Sequence, residues 1–200
     1  MKLFFKSLCV GIVVSILFTF IPFEGECRQI SEQVFRIHIL ANSDSEEDQT
    51  LKLMVRDAVL AKSQELFKSA RDKTEAMQIT QENLDELVGV AQETVYSAGY
   101  SYPVTASIKP TSFDTRYYDA VTMPSGVYDA LQIRIGDAKG KNWWCVMYPS
   151  LCIPAASEVN TLEEELTSSQ YSIISADGKF EFRLKILEVF NGILEYFSHE

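Results

Sequence analysis

The only imidazoles in this 200-residue chain are His38 and His199. Acid–base chemistry near neutral pH would therefore rest on one of them or on carboxylates with shifted pKa values. His38 stands close in sequence to Asn42 and Asp44, types that a serine could complete into a hydrolytic cluster. A lone histidine in a strand beside a helix-capping sequence is more often structural. The acids Asp114, Asp119 and Asp129 fall in strand and turn segments. A pair of carboxylates is what glycoside cleavage needs, but aspartates at such positions are also common turn formers. No HExxH, GxSxG, phosphate-binding loop or dinucleotide fingerprint is present. The sequence thus assigns no catalytic residue, no metal ligand set and no cofactor.

Covalent chemistry has one stronger signal. Cys145 and Cys152 (CVMYPSLC) are separated by six residues with Pro149 among them, so the chain can turn back between them. In an exported protein such a pair reads as a disulfide. Two buried thiols, or half of a metal site, are the alternatives, and the sequence supplies no further ligands in a recognisable spacing. Cys27 is left over, and Cys9 lies in the N-terminal apolar run. Recognition chemistry points to aromatic and arginine side chains, where interface energy concentrates. The adjacent Trp143 and Trp144 send their rings to opposite faces of a strand. One is expected to pack on helices and the other to be available to a partner, unless both are buried. Arg116, Tyr117 and Tyr118 (TRYY) complete the candidate partner-binding set.

The elements that must position these residues begin with an export segment. A basic head, Met1 to Lys6, precedes the apolar run Ser7 to Phe23 (SLCVGIVVSILFTFIPF), the build of a signal peptide. Seventeen residues in a helix reach roughly 25 Å, somewhat short of a bilayer core of about 30 Å. No clean small-x-small cleavage site follows Pro22, so residues 1–26 are read either as a removed signal or as a retained anchor. Residues 27–200 are read as one extracytoplasmic domain. Composition suits this: 46% hydrophobic and 12% aromatic residues can fill a core. Asp and Glu outnumber Lys and Arg by 28 to 18. An excess of that size repels nucleic acid and anionic headgroups and favours protein partners with basic or apolar faces.

Gln33 to Leu40 (QVFRIHIL) alternates and reads as a strand. Ser45 followed by Glu46, Glu47 and Asp48 reads as a helix cap with dipole-favoured acids. The stripe Leu51, Met54, Val55, Ala58 and Val59 carries that helix to about Phe67. A second helix is expected from Thr74 to Ala98, stopped by Gly99. Strands follow from Tyr102 to Phe113, with Pro110 marking an edge, and from Tyr128 to Ile135. Gly136 to Gly140 reads as a hairpin loop into a central strand, Asn142 to Tyr148. The polar, acidic stretch near 156–170 reads as a surface segment. Residues 171–186 fit either a hairpin around Asp177-Gly178 or the approach to a terminal helix, which is taken to begin near Phe182. The sum is an α+β domain: a mainly antiparallel sheet covered by two N-terminal helices and a C-terminal helix.

Three stretches carry a resemblance: Phe35 to Leu60 (FRIHILANSDSEEDQTLKLMVRDAVL), Met123 to Ile135 (MPSGVYDALQIRI) and Gly136 to Cys152 (GDAKGKNWWCVMYPSLC). Together they resemble the stage II sporulation protein R family of endospore-forming Firmicutes. The likeness covers most of the chain after the apolar run, and Glu158 to Gln170 departs from it. The resemblance implies a signalling protein exported from the forespore into the space between two membranes. There it would trigger a membrane-embedded aspartic protease of the mother cell, leading to processing of pro-sigma E. It implies a ligand rather than an enzyme, with no cofactor and no small-molecule substrate. Two other classes stay open: an extracytoplasmic hydrolase of wall material, and an anchored structural protein of the septum.

Overall fold

The computed structural model describes residues 2–118, 121–149, 165–175 and 180–198. The acidic stretch 156–164, Cys152, Asp119, His199 and the Asp177-Gly178 turn lie outside them. The fold is mixed α/β, with a mainly antiparallel sheet and several helices. Two compact units are present, one built from 1–31, 113–126 and 167–200, the other from 32–112 and 127–166.

In the second unit, strand β1 (Phe35–Leu40) lies inside a four-stranded sheet. Helix α2 (Glu46–Leu66) follows at once, then α3 (Lys73–Glu82) and α4 (Leu84–Ser97). The sheet is completed by β2 (Val104–Phe113), β5 (Gly126–Ile135) and β6 (Asn142–Tyr148), in the order β2-β5-β1-β6. β1 runs parallel to β5 and antiparallel to β6. α2 and α4 pack on each other, while α2 and α3 both contact β1.

Several local expectations hold. Ser45 caps α2 by accepting from the Asp48 amide. Gly99 ends α4 at φ +87°, with its own N–H donating to Tyr96 and that of Tyr100 to Val95, the paired bonds of a Schellman motif. Other expectations are corrected. The helix expected over 74–98 is two helices that meet at Asn83, whose backbone leaves the helical region at φ −110°, ψ 19° while its amide and its side chain both donate to the Ile79 carbonyl. β6, read as central, is an edge strand, and β1 takes the central place. The loop Gly136 to Gly140 does not make a hairpin: β1 is inserted between β5 and β6, so the loop crosses over its end.

The first unit contains α1 (Lys2–Gln33), which runs through Pro22 without a break. Its outer half exposes Phe4, Phe5, Val10 and Ile21, whereas Phe23, Cys27 and Ile30 are buried. Phe23 stacks on Phe180 at 5.8 Å, and the Arg183 guanidinium lies 5.8 Å from the Phe23 ring centre. A short ladder joins β3 (Arg116–Tyr117) to β4 (Thr122–Met123). Helix α5 (Ser168–Ile174) opens with a capping box between Thr167 and Gln170, and α6 (Glu181–Ser198) is the terminal helix. Residues 171–174 are thus helical, and the terminal helix begins where the apolar spacing placed it. Among the described residues, no helix is long and apolar enough to cross a membrane.

Candidate functional site

The string after β1 that looks chemical in sequence is used to build a joint between two loops. Asn42 Nδ2 and Ser43 Oγ donate to Asp48 Oδ2 at 2.8 and 2.6 Å. Asn42 Oδ1 accepts the Asp137 amide at 3.0 Å, and Asp44 Oδ1 accepts the Lys141 amide at 2.6 Å. Backbone bonds from Lys139 to Asn42 and from Gly140 to Ala41 close the joint. A Cβ at Gly140 would run into the Ser43 carbonyl, and one at Gly136 into the Asn42 side chain. Glycine is required at both for the loops to approach this closely. Asp48 is buried; burial pushes its carboxyl up, but hydrogen bonds from Ser43, Asn42 and Tyr102 outweigh that and hold it below the usual range. Lys52 is also buried, and burial lowers its pKa. Its ammonium donates to Gln49 Oε1 at 2.6 Å and to the Lys141 carbonyl at 3.0 Å.

His38, Asn42 and Asp44 therefore do not form a reacting cluster. His38 lies flat on Trp144, ring centres 3.6 Å apart, with its Nδ1 3.2 Å from Gln132 Nε2. Asp129 pairs with Lys73 at 2.7 Å, and Asp114 lies 3.5 Å from Arg116. Among the described residues, no group of three or more His, Cys, Asp or Glu could hold a metal ion.

The tryptophans part as strand geometry requires. Trp143 carries the Arg56 guanidinium of α2 at 5.1 Å from its ring centre, so it meets the helix layer, while Trp144 meets His38 on the sheet. Both rings are half-buried. Arg116 and Tyr118 are half-buried and Tyr117 is exposed. Those three belong to the first unit and the tryptophans to the second. Cys145 is fully buried in β6; its expected partner, Cys152, is outside the described residues. Cys27 is buried too, and burial, with help from Glu24 and Glu26, pushes its thiol up to about 12, where it is unreactive near neutral pH.

Sequence reasoning missed Arg36, which is wholly buried in β1. Its Nε donates to the Cys145 carbonyl at 3.4 Å and its guanidinium lies 4.8 Å from the Tyr128 ring centre. The signal was its place in an alternating strand, which a strand covered on both faces overrides. An open cavity of about 660 Å³ between the end of α2 and β6 was also not foreseen; Leu60, Phe67, Met147 and Tyr148 supply its apolar wall.

These observations define a mixed α/β protein whose described histidine and aspartates serve the sheet, a loop joint and ion pairs. Residues 31–158 match the family model described as stage II sporulation protein R, and the chain belongs to that family. It is similar to stage II sporulation protein R of Bacillus subtilis (strain 168), with 35% identity over 142 residues, 71% of this chain and 63% of that protein. The matched region thus spans less than two thirds of that relative. No solved structure matches the chain. The family places the chain in sporulation.

Proposed function

We propose that this chain is an exported signal of sporulation that engages a membrane-embedded aspartic protease from outside the membrane and so promotes processing of pro-sigma E. Family membership over residues 31–158 is the observation that carries the reading. The apolar run of α1, with Phe4, Phe5, Val10 and Ile21 exposed, suits a segment handed to a translocation apparatus or a bilayer. The roles of His38, Asp114 and Asp129 in stacking and ion pairing suit a ligand rather than a catalyst. The proposed location is the space between forespore and mother-cell membranes, with residues 1–26 either removed or kept as an anchor.

The test is reconstitution in a non-sporulating host. The chain, the candidate protease and its pro-sigma substrate are co-expressed, and processing is followed by the size of the sigma factor. Processing that requires this chain with its export segment supports the reading. Processing that is equal without the chain, or with a chain lacking residues 1–26 and held in the cytoplasm, overturns it.

A further inference from the structure

The outer face of the α2–α4 pair presents apolar groups that its own fold leaves uncovered. A groove of about 400 Å³ opens between the start of α2 and the end of α4. Its walls include Leu51, Met54, Ala98 and Tyr100, and its mouth carries Glu46 and Glu47. Met54 is 45% exposed and Leu53 38%, on α2, and Tyr96 is 60% exposed on α4. Glu93 stands exposed one turn before Tyr96. Glu46, Glu47 and Glu93 form no ion pair among the described residues, in contrast to Glu86, which holds Lys62 at 2.8 Å. Glu46 and Glu47 suit the dipole of α2, but that does not account for the apolar groove they line; Glu93 lies outside that lining. Met54 in the wall adapts to an inserted side chain, and Tyr100 in the same wall offers rigid area. The unpaired carboxylates of Glu46 and Glu47 at the hollow attract a cation and repel an acidic or anionic surface.

We infer that this groove is a docking surface for a basic, apolar segment of a partner protein, one in which lysine or arginine flanks an aliphatic or aromatic side chain that enters between Met54 and Tyr100. The occupant is argued from charge: the groove is acidic at its mouth within a chain of net charge −10, so a second copy of this chain would be repelled. The inference rests on the reading that the chain acts by engaging a protein partner. The groove's lining shares no residue with the Trp143–Trp144 or Arg116–Tyr118 sets.

The experiment uses the full chain in the reconstituted system, with two readouts. Processing is titrated against the amount of chain, and a photocrosslinker (Tyr96→p-benzoylphenylalanine) reports contact with the co-expressed protease, with the same group at exposed position 109 as the comparison. Glu46→Lys with Glu47→Lys alters the mouth; Thr50→Lys with Met54→Ser alters the groove wall beyond the first turn of α2. Thermal unfolding confirms that each variant is folded. The expected result is that both pairs need about tenfold or more chain for equal processing, a loss of the size interface anchors give. Lys109→Glu on exposed β2 should be unchanged. The crosslink should form from 96 and weaken in both pairs. Normal titration and no crosslink from 96, while the unaltered chain still triggers processing, overturn the groove and leave the signalling reading standing. A crosslink from 96 with no triggered processing keeps the groove and overturns the signalling reading. Neither crosslink nor processing overturns both.

Discussion

Asp48 shows how much one buried carboxylate holds together. It receives bonds from Asn42, Ser43 and Tyr102 and its own amide is bound by Ser45, so it ties the end of β1 to the first turn of α2. Its folded pKa is depressed. The stability it contributes is therefore fully present above its unfolded value, near 3.9, and is lost as pH falls through the folded pKa. Asp48→Asn should cost about 1–3 kcal/mol at pH 7, because charge-assisted bonds to a buried group are weakened. It should also flatten the acid limb of a stability–pH curve, as read from urea unfolding between pH 3 and 7. An unchanged acid limb would place the dependence elsewhere. Cys145 raises a second question at this scale. If it is bonded to Cys152, alkylation of the unreduced, exported protein recovers neither as a free thiol. Loss of the bond should cost roughly 2.5 kcal/mol in the chain-entropy model for so short a loop. Recovery of both as alkylated thiols without reductant would end that assignment.

At the scale of elements, signals local in sequence were readable and those set by sheet order were not. Ser45 and Gly99 are capping types, and each ends a helix as its chemistry requires. The apolar spacing after Phe182 found the terminal helix, which begins at Glu181. Asn83 was invisible as a break because the apolar stripe continues across it; only its non-helical backbone conformation reveals it. The loop 136–140 has the glycines of a hairpin, yet they serve a close crossing over Asn42 and Ser43. Nothing in a window that short can show that β1, almost a hundred residues earlier, lies between β5 and β6. Strand alternation placed the two tryptophans on opposite faces. It could not find the α2–α4 groove, which exists only once two helices are packed. Gly89 allows a check on α4. It sits exposed in the helix interior with open space where a Cβ would go. Gly89→Ala should raise stability by about 0.5–1 kcal/mol through lower backbone entropy in the unfolded chain. A loss of stability in thermal unfolding would mean that this face is less open than the structure shows.

For the molecule as a whole, the choice lies between a protein that reacts and one that is recognised. A catalyst depends steeply on single groups: removing one member of a reacting set lowers turnover by orders of magnitude while the fold persists. A ligand depends on a few anchors within a wide surface and tolerates change elsewhere. Three of the described titratable groups have structural partners that suit the second case. Asp129 is held by Lys73, Asp114 lies beside Arg116, and His38 is stacked on Trp144. Asp114→Asn and Asp129→Asn should therefore shift the amount of chain needed for pro-sigma processing by no more than about two- to threefold, the equivalent of ~0.5 kcal/mol expected of substitutions away from anchors. His38→Gln keeps a polar group near Gln132 but loses the ring stack. It should lower thermal stability and yield while leaving the activity of each folded molecule close to that of the parent chain. Separating the two effects requires measuring exported, folded protein alongside processing in the same culture. A thousandfold loss from any one of these three changes, with export and folding intact, would identify a reacting group and make this chain an enzyme.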